Sequence, residues 1–343
     1  MEYTFEFTES NAKKASEFEA KALLYLIGID KDKKKISLVF IDCFNDVTGT
    51  NSQHSELWDI QSKGVADMAP GLIGRSLITL FLNYCSNLKF RKFALFMPRP
   101  NESYVIDKKL TEFGINNFDD IQDKIEKGLL AEFKRRKKLS QLDPECIEKA
   151  KAFLGEVRFI TDTMHPHEYV KTIADFKGKE LKDTAFYESV FNEIKGQQSI
   201  KKLSKIHKAK ISAIAEALQF DRHISSFDIS QLLVNRLVGV DIFKPRGIPF
   251  SFLEETNGLA PDAIKDLIFE CNTNVCKAFF DKNKKSIFWR FLERVLINLE
   301  EPSNLTCREI YEKSKNCRGF EYSHLEGKPG IYFVSLIKDG LEI

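Results

Sequence analysis

The stretch ISLVFIDCFNDVTGTNSQHSELWDIQSKG (36–64) decides how the chain folds. ISLVFIDCF (36–44) is apolar and rich in β-branched and aromatic residues, the pattern of a strand buried on both faces. TGTNSQHS (48–55) is polar and turn-like, and ELWDIQSKG (56–64) reads as the return strand of a hairpin. Side chains two apart on a strand share a face. Asp59, Gln61 and Lys63 therefore line one side of the return strand, with Trp58, Ile60 and Ser62 on the other. The hairpin brings Asp46, which lies 15 residues before Gln61, to within about 5 Å of it on a neighbouring strand. Asp42 shares the parity of Asp46 and is the rival carboxylate if the strand carries no bulge.

Working outward, KKASEFEAKALLYLIG (13–28) has Phe18, Ala22, Leu23, Leu26 and Ile27 at helical spacing, closed by Gly28. VADMAPGLIGRSLITLFLNYCSN (65–87) reads as a helix and FRKFALFMP (90–98) as a strand stopped by Pro98. A short first strand is expected within residues 3–8. Residues 106–155 look helical and highly charged, RFIT (158–161) is a further short strand, and helices dominate from about 166 to 320. GIYFVSLI (330–337), introduced by Pro329 and Gly330, is a C-terminal strand candidate. The order predicts an α/β fold with a central mixed sheet flanked by helices over 1–215, and a mainly helical region for partners or oligomerisation over 216–343.

Glu19 is the informative anomaly. Ala22, Leu23 and Leu26 follow it at three, four and seven residues, so its carboxylate lies on the apolar stripe, while Glu17 falls nearer the flank. A carboxylate aimed at a core is costly without a partner, and a divalent cation is one such partner. Mg²⁺ prefers oxygen ligands: Asp46 can supply a charged one, Gln61 a neutral carbonyl, and Glu19 a further carboxylate. Such an ion activates water and neutralises charge on a phosphoryl group, and Lys63 adds positive charge where the transition state develops negative charge. The same polar row is also what a solvated strand face presents.

The chain has 343 residues, 43% of them hydrophobic and 30% charged, an ordinary globular balance. The 29 phenylalanines are expected as core filling. A net charge of +2 excludes a uniformly basic nucleic-acid binder, so any DNA surface must come from local segregation of charge. No apolar run suits a membrane span and the N-terminus does not read as a signal peptide, so a cytoplasmic protein is expected. The seven scattered cysteines, an odd number with no zinc-type spacing, are expected to be free thiols.

Two basic clusters are candidates for gripping phosphates: Lys134, Arg135, Arg136, Lys137 and Lys138, and then Lys201, Lys202, Lys205, Lys208 and Lys210. Charge runs on helices are also simply solvated faces. His165 and His167 around Pro166 read as a loop opening a helix, His54 as a turn residue, and Trp58 and Trp289 as core anchors.

EFEAKALLYLIG, FNDVTGT and LWDIQSKG resemble the nuclease domain of bacterial anti-phage effector endonucleases of the PD-(D/E)xK kind. That family is typified by the CD-NTase-associated endonuclease of CBASS systems and shared by the nuclease subunit of Lamassu systems. The resemblance covers residues 15–100, and RFITDTMHPHEYVKTIADF (158–176) is similar in character. It implies a restriction-endonuclease-like core, with Glu19 on the helix, Asp46 as metal ligand and the pair Gln61 and Lys63 completing the site. It also implies Mg²⁺ (or Mn²⁺) and cleavage of double-stranded DNA, held in check until infection. Gln61 stands where the standard pattern has glutamate, which shifts metal affinity toward Asp46 and Glu19. Partners expected on this basis are an SMC-like ATPase, a small accessory subunit and further copies in a dimer or tetramer. The alternatives are activation by a cyclic oligonucleotide, a non-catalytic DNA-binding scaffold, and a restriction-type nuclease acting alone.

Overall fold

The computed structural model describes residues 2–5, 13–177, 181–203, 206, 208–244, 247–300 and 305–341. Two compact units emerge, one from Met1–Val170 with Phe191–Ser226 and one from Lys171–Val190 with Phe227–Ile343.

The first unit runs β1 (Tyr3–Thr4), α1 (Lys13–Gly28), β2 (Leu38–Ile41), β3 (Val47–Thr50), β4 (Leu57–Ser62), α2 (Pro70–Ser76), α3 (Ile78–Tyr84) and β5 (Phe90–Pro98). It continues with β6 (Glu112–Phe113), α4 (Gln122–Lys137), α5 (Pro144–Glu156), β7 (Arg158–Asp162) and α6 (Pro166–Lys171). Then come α7 (Thr184–Lys201), whose first residues belong to the second unit, β8 (Lys210–Ile211) and β9 (His223–Ser225). Among the described residues, seven strands form a mixed sheet in the order β6-β7-β5-β4-β3-β2-β9, and β1 pairs with β8 separately. β4, β5 and β7 are parallel to one another, and the remaining pairings in the large sheet are antiparallel.

The mixed α/β character agrees with the sequence reading, as do α1, β5 and β7. Two local expectations are corrected. The turn-like segment 48–55 contains most of β3, which separates β2 from β4 and pairs with both. A strand reading VTGT lacks apolar alternation, and its glycine and threonines mimic a turn. GIYFVSLI (330–337) is not a strand but part of a helix buried on nearly all sides. A uniformly apolar run has no periodicity to separate strand from buried helix. The sheet also takes β9 from beyond the boundary expected near residue 215. Part of the first strand expected within 3–8 lies outside the described residues.

α1 lies over β3, β4 and β5. Ala20, Ala22, Leu23, Leu24 and Leu26 are fully buried against the sheet. Two glycines permit the approach. A Cβ on Gly49 of β3 would stand 2.9 Å from Leu26 Cδ2, and one on Gly64 would stand 2.8 Å from Phe18 Cδ2. On the opposite face, α2, α3, α4 and α5 cover Phe93, Leu95 and Met97 of β5 in one apolar cluster.

The second unit contains α8 (Ser226–Val238), α9 (Pro261–Phe280), α10 (Lys285–Glu300), α11 (Cys307–Ser314) and α12 (Lys328–Leu341). Its core is aromatic, with Phe279, Phe288, Phe291 and Phe333 ring to ring and Trp289 fully buried. α11 starts on a capping box in which Thr306 and Glu309 satisfy each other's backbone N–H groups. The seven cysteines are free, and no helix among the described residues is long and apolar enough to cross a membrane.

The close approach at Gly49 generates a stability prediction. Gly49→Ala costs about 1–3 kcal/mol in urea unfolding through overpacking. In a Leu26→Ala background the same change costs measurably less. Equal costs in both backgrounds would show that Leu26 is not the side chain that Gly49 accommodates.

Candidate functional site

The chain leaves β2 at Ile41 and re-enters the sheet at Val47 through a tight turn. Asp42 occupies the left-handed region at φ 46°, which aspartate tolerates, and its N–H donates to the Asp46 carbonyl at 3.0 Å. Val47 pairs with Ile60 and Thr48 with Asp59, so the same register places Asp46 opposite Gln61. Three donors then meet on one oxygen, Asp46 Oδ2: Gln61 Nε2 at 2.6 Å, the Ser62 N–H at 2.7 Å and Ser62 Oγ at 2.9 Å. Asp46 and Gln61 thus come together as expected, although β3 rather than β2 carries the aspartate to β4.

Glu19 sits on the buried side of α1 and is 8% exposed. Glu17 pairs with Lys21 at 3.8 Å and its side chain is 44% exposed, the flank position expected of it. Burial pushes the Glu19 carboxyl up to about 7, and the nearby charges of Asp46 and Asp42 push in the same direction, against an ion pair with Lys202. Because α1 covers the face of the sheet bearing Gly49, Gly64 and Trp58, Glu19 approaches the Asp46 end from the side opposite to Gln61. Asp42, the rival carboxylate, is taken by Arg222, whose Nη1 donates to its Oδ2 at 2.9 Å and its carbonyl at 2.5 Å.

Lys63 follows directly after β4, and its N–H donates to the Phe96 carbonyl at 2.9 Å, so the ladder continues and the alternation places Lys63 on the face of Gln61. Asp59 on that same face is fully buried. It accepts hydrogen bonds from Asn83 Nδ2 at 2.7 Å, Thr48 Oγ1 at 3.0 Å and Asn45 Nδ2 at 3.4 Å. Burial nevertheless outweighs these donors and raises its carboxyl to about 7. The polar row on β4 is therefore an interior network rather than a solvated face.

The run at 134–138 closes α4. Arg135 and Arg136 both pair with Glu132, at 2.5 and 3.2 Å. Cations in a last turn also suit the helix dipole. Lys134, Lys137 and Lys138 are exposed. In the second cluster Lys201 pairs with Asp221 at 2.6 Å, Lys210 with Glu2 at 3.0 Å and Lys202 with Glu19, while Lys205 lies outside the described residues. The rings of His165 and His167 stack in parallel at 5.7 Å, and His54 is a turn residue at φ 50°. Trp58 is buried and donates to Asp32 Oδ2 at 3.0 Å.

Sequence reasoning missed the bases and amides that answer these carboxylates. Lys202 is 183 residues from Glu19 and Arg222 is 180 from Asp42. Lys21, on the turn after Glu19, donates to Asp162 Oδ2 at 2.7 Å and is 7% exposed. A lysine inside an apolar helical stripe was the available signal for it.

No protein-family model and no curated protein matches the chain. Among solved structures it is similar to the Acinetobacter baumannii Cap4 SAVED/CARF-domain containing receptor with the cyclic trinucleotide 2'3'3'-cAAA, at 12% identity and a TM-score of 0.38. The match covers 85% of this chain, which spans 66% of that receptor's length.

Two measurements follow from this geometry. With the Asp59 carboxyl raised from its unfolded value near 4 to about 7, its contribution to stability is fully present below about pH 4 and is lost as pH rises through about 7. The stability of wild type relative to Asp59→Asn therefore falls between about pH 4 and about pH 7, and levels off above. A difference that is flat with pH in thermal melts rejects this. For the basic run, reversing Lys134, Lys137 and Lys138 to glutamate lowers the salt slope of DNA binding by about one for each phosphate no longer neutralised. An unchanged slope removes the run from any DNA interface.

Proposed function

We propose that the chain is a metal-dependent DNA endonuclease with a restriction-endonuclease-like core, acting as the effector of an anti-phage defence complex. The observation that carries it is the junction of Asp46 and Gln61 at one end of the sheet, with the Glu19 carboxylate in electrostatic reach of Asp46.

The donor set fits Mg²⁺. Among the described residues no group of three or more His, Cys, Asp or Glu side chains is poised to hold a metal. Two carboxylates and an amide are nonetheless enough for an ion that keeps several waters and takes further oxygens from a phosphate. Asp46, which Gln61 meets from one face of the sheet and Glu19 approaches from the other, would hold it, with the Glu19 carboxylate and the Gln61 carbonyl oxygen as further donors at the end of the sheet. Such an ion supplies an activated water and neutralises phosphoryl charge.

The chain's own groups supply the rest. Ser62 holds Asp46 through a backbone and a hydroxyl donor, which orients the carboxylate without adding net charge. Lys63 carries positive charge along the Gln61 face toward negative charge that develops on the phosphodiester. Cleavage of both strands needs two sites or two successive nicks, which suits an oligomer.

The test is plasmid cleavage with Mg²⁺ or Mn²⁺. Asp46→Asn and Lys63→Ala each lower the rate on the order of a hundredfold or more, and both variants still unfold cooperatively in thermal melts, since asparagine keeps an oxygen for the Ser62 donors. Variants that cut like wild type exclude these residues. DNA binding without cutting in every condition, including with an SMC-like ATPase and its accessory subunit or with cyclic oligonucleotides, favours a scaffold. Cutting released by the ATPase supports the Lamassu-like arrangement, and cutting released by a cyclic oligonucleotide supports the CBASS-like one.

A further inference from the structure

Lys202 brings an ammonium to Glu19, the carboxylate that would also serve a bound cation. It lies just beyond the C-terminal end of α7 and pairs with Glu19. The two side chains are 8% and 10% exposed, so the pair is withdrawn from bulk water and from screening by salt. The pair is braced. Arg222, 1% exposed, donates from Nη2 to the Lys202 carbonyl at 2.8 Å, and from Nη1 to the Asp42 side chain and carbonyl. Arg222 therefore ties the backbone of Lys202 to the turn that presents Asp46. Asp46 and Asp42 both act electrostatically on Glu19. A divalent ion entering beside Asp46 and Glu19 meets a positive charge already in place.

We propose that Lys202 is a positioning residue of the cation site that sets its affinity. Its ammonium holds Glu19 in the cation-free state and sets the concentration at which a divalent ion displaces it. The proposal rests on the reading of Asp46, Gln61 and Glu19 as the ligand set. Lys202 does not touch substrate; it acts through Glu19. In the displaced arrangement the ammonium moves off Glu19, and the carboxylate turns its charge to the divalent ion. No covalent bond is made or broken in this exchange.

The experiment is calorimetric titration of the full chain with Mn²⁺, without DNA, at mildly alkaline pH. Lys202→Met and Lys202→Gln each bind Mn²⁺ about tenfold or more tightly than wild type, because like-charge repulsion is removed from a site of low dielectric. A merely structural role for Lys202 would not give tighter binding in its absence. Lys202→Arg keeps the charge and binds no more tightly than wild type. Equal or weaker binding by the neutral variants, or no Mn²⁺ binding by any version, overturns the proposal. If neither neutral variant keeps the wild-type melting temperature, Lys202→Arg decides, and tighter binding by it is the overturning result. Tighter binding by the neutral variants, with no DNA cleavage by any version under any of the activating conditions of the plasmid assay, keeps this proposal and ends the nuclease reading. Cleavage by wild type with equal Mn²⁺ affinity throughout does the reverse.

Discussion

A single carboxylate oxygen, Asp46 Oδ2, collects three donors, and one of them is the backbone N–H of Ser62. That backbone bond makes Asp46 part of the pairing between β3 and β4 rather than an ornament on it. A slip of one residue would exchange the faces of β4 and pull the carboxylate away from its donors. The turn between β2 and β3, the position of Gln61 and the charge felt by Glu19 all depend on this register.

Elsewhere among the described residues of the first unit, three buried carboxylates are each treated differently. Asp30, 1% exposed, meets the Lys92 ammonium at 2.6 Å, in a pair that Glu112 extends at 2.8 Å. Glu19 has Lys202, but two aspartates act against it. Asp59 has only neutral amides and a hydroxyl. Removing one partner of a buried ion pair strands a charge, whereas a carboxylate held by neutral donors can simply take up a proton. Asp30 is thus answered by a full charge, while Asp59 and Glu19 stand near the point where a proton is gained or lost at ordinary pH.

Much of this was legible in the chain because it is written in local periodicity. α1 follows from the spacing of Phe18, Ala22 and Leu26, and an antiparallel reading of the segment 36–64 places Asp46 near Gln61, although the pairing that brings them together is that of β3 with β4. What escaped has two physical causes. VTGT and GIYFVSLI lack the alternation that separates strand, turn and helix, so the identity of β3 and α12 is set by their neighbours. Lys202 and Arg222 reach the site by chain closure over some 180 residues, and nothing at short range marks them. The same holds for Asp59, whose alternation with Gln61 reads as a wet edge until Asn83 is seen beneath it.

β9 closes the far edge of the large sheet, and the chain passes through the second unit between Lys171 and Val190 before returning to supply it. The first unit is therefore discontinuous, and no single cut in the chain releases it intact. A fragment ended near residue 215 would lack His223–Ser225 and leave Leu38–Ile41, an apolar run, with one row of unpaired backbone groups. An uncovered apolar edge of that kind recruits other strands. In evolutionary terms the two units cannot be exchanged by simple end-to-end fusion. Any recombination that replaced the second while keeping the first would have to exchange two separate stretches, 171–190 inserted within the first unit and 227–343 following it.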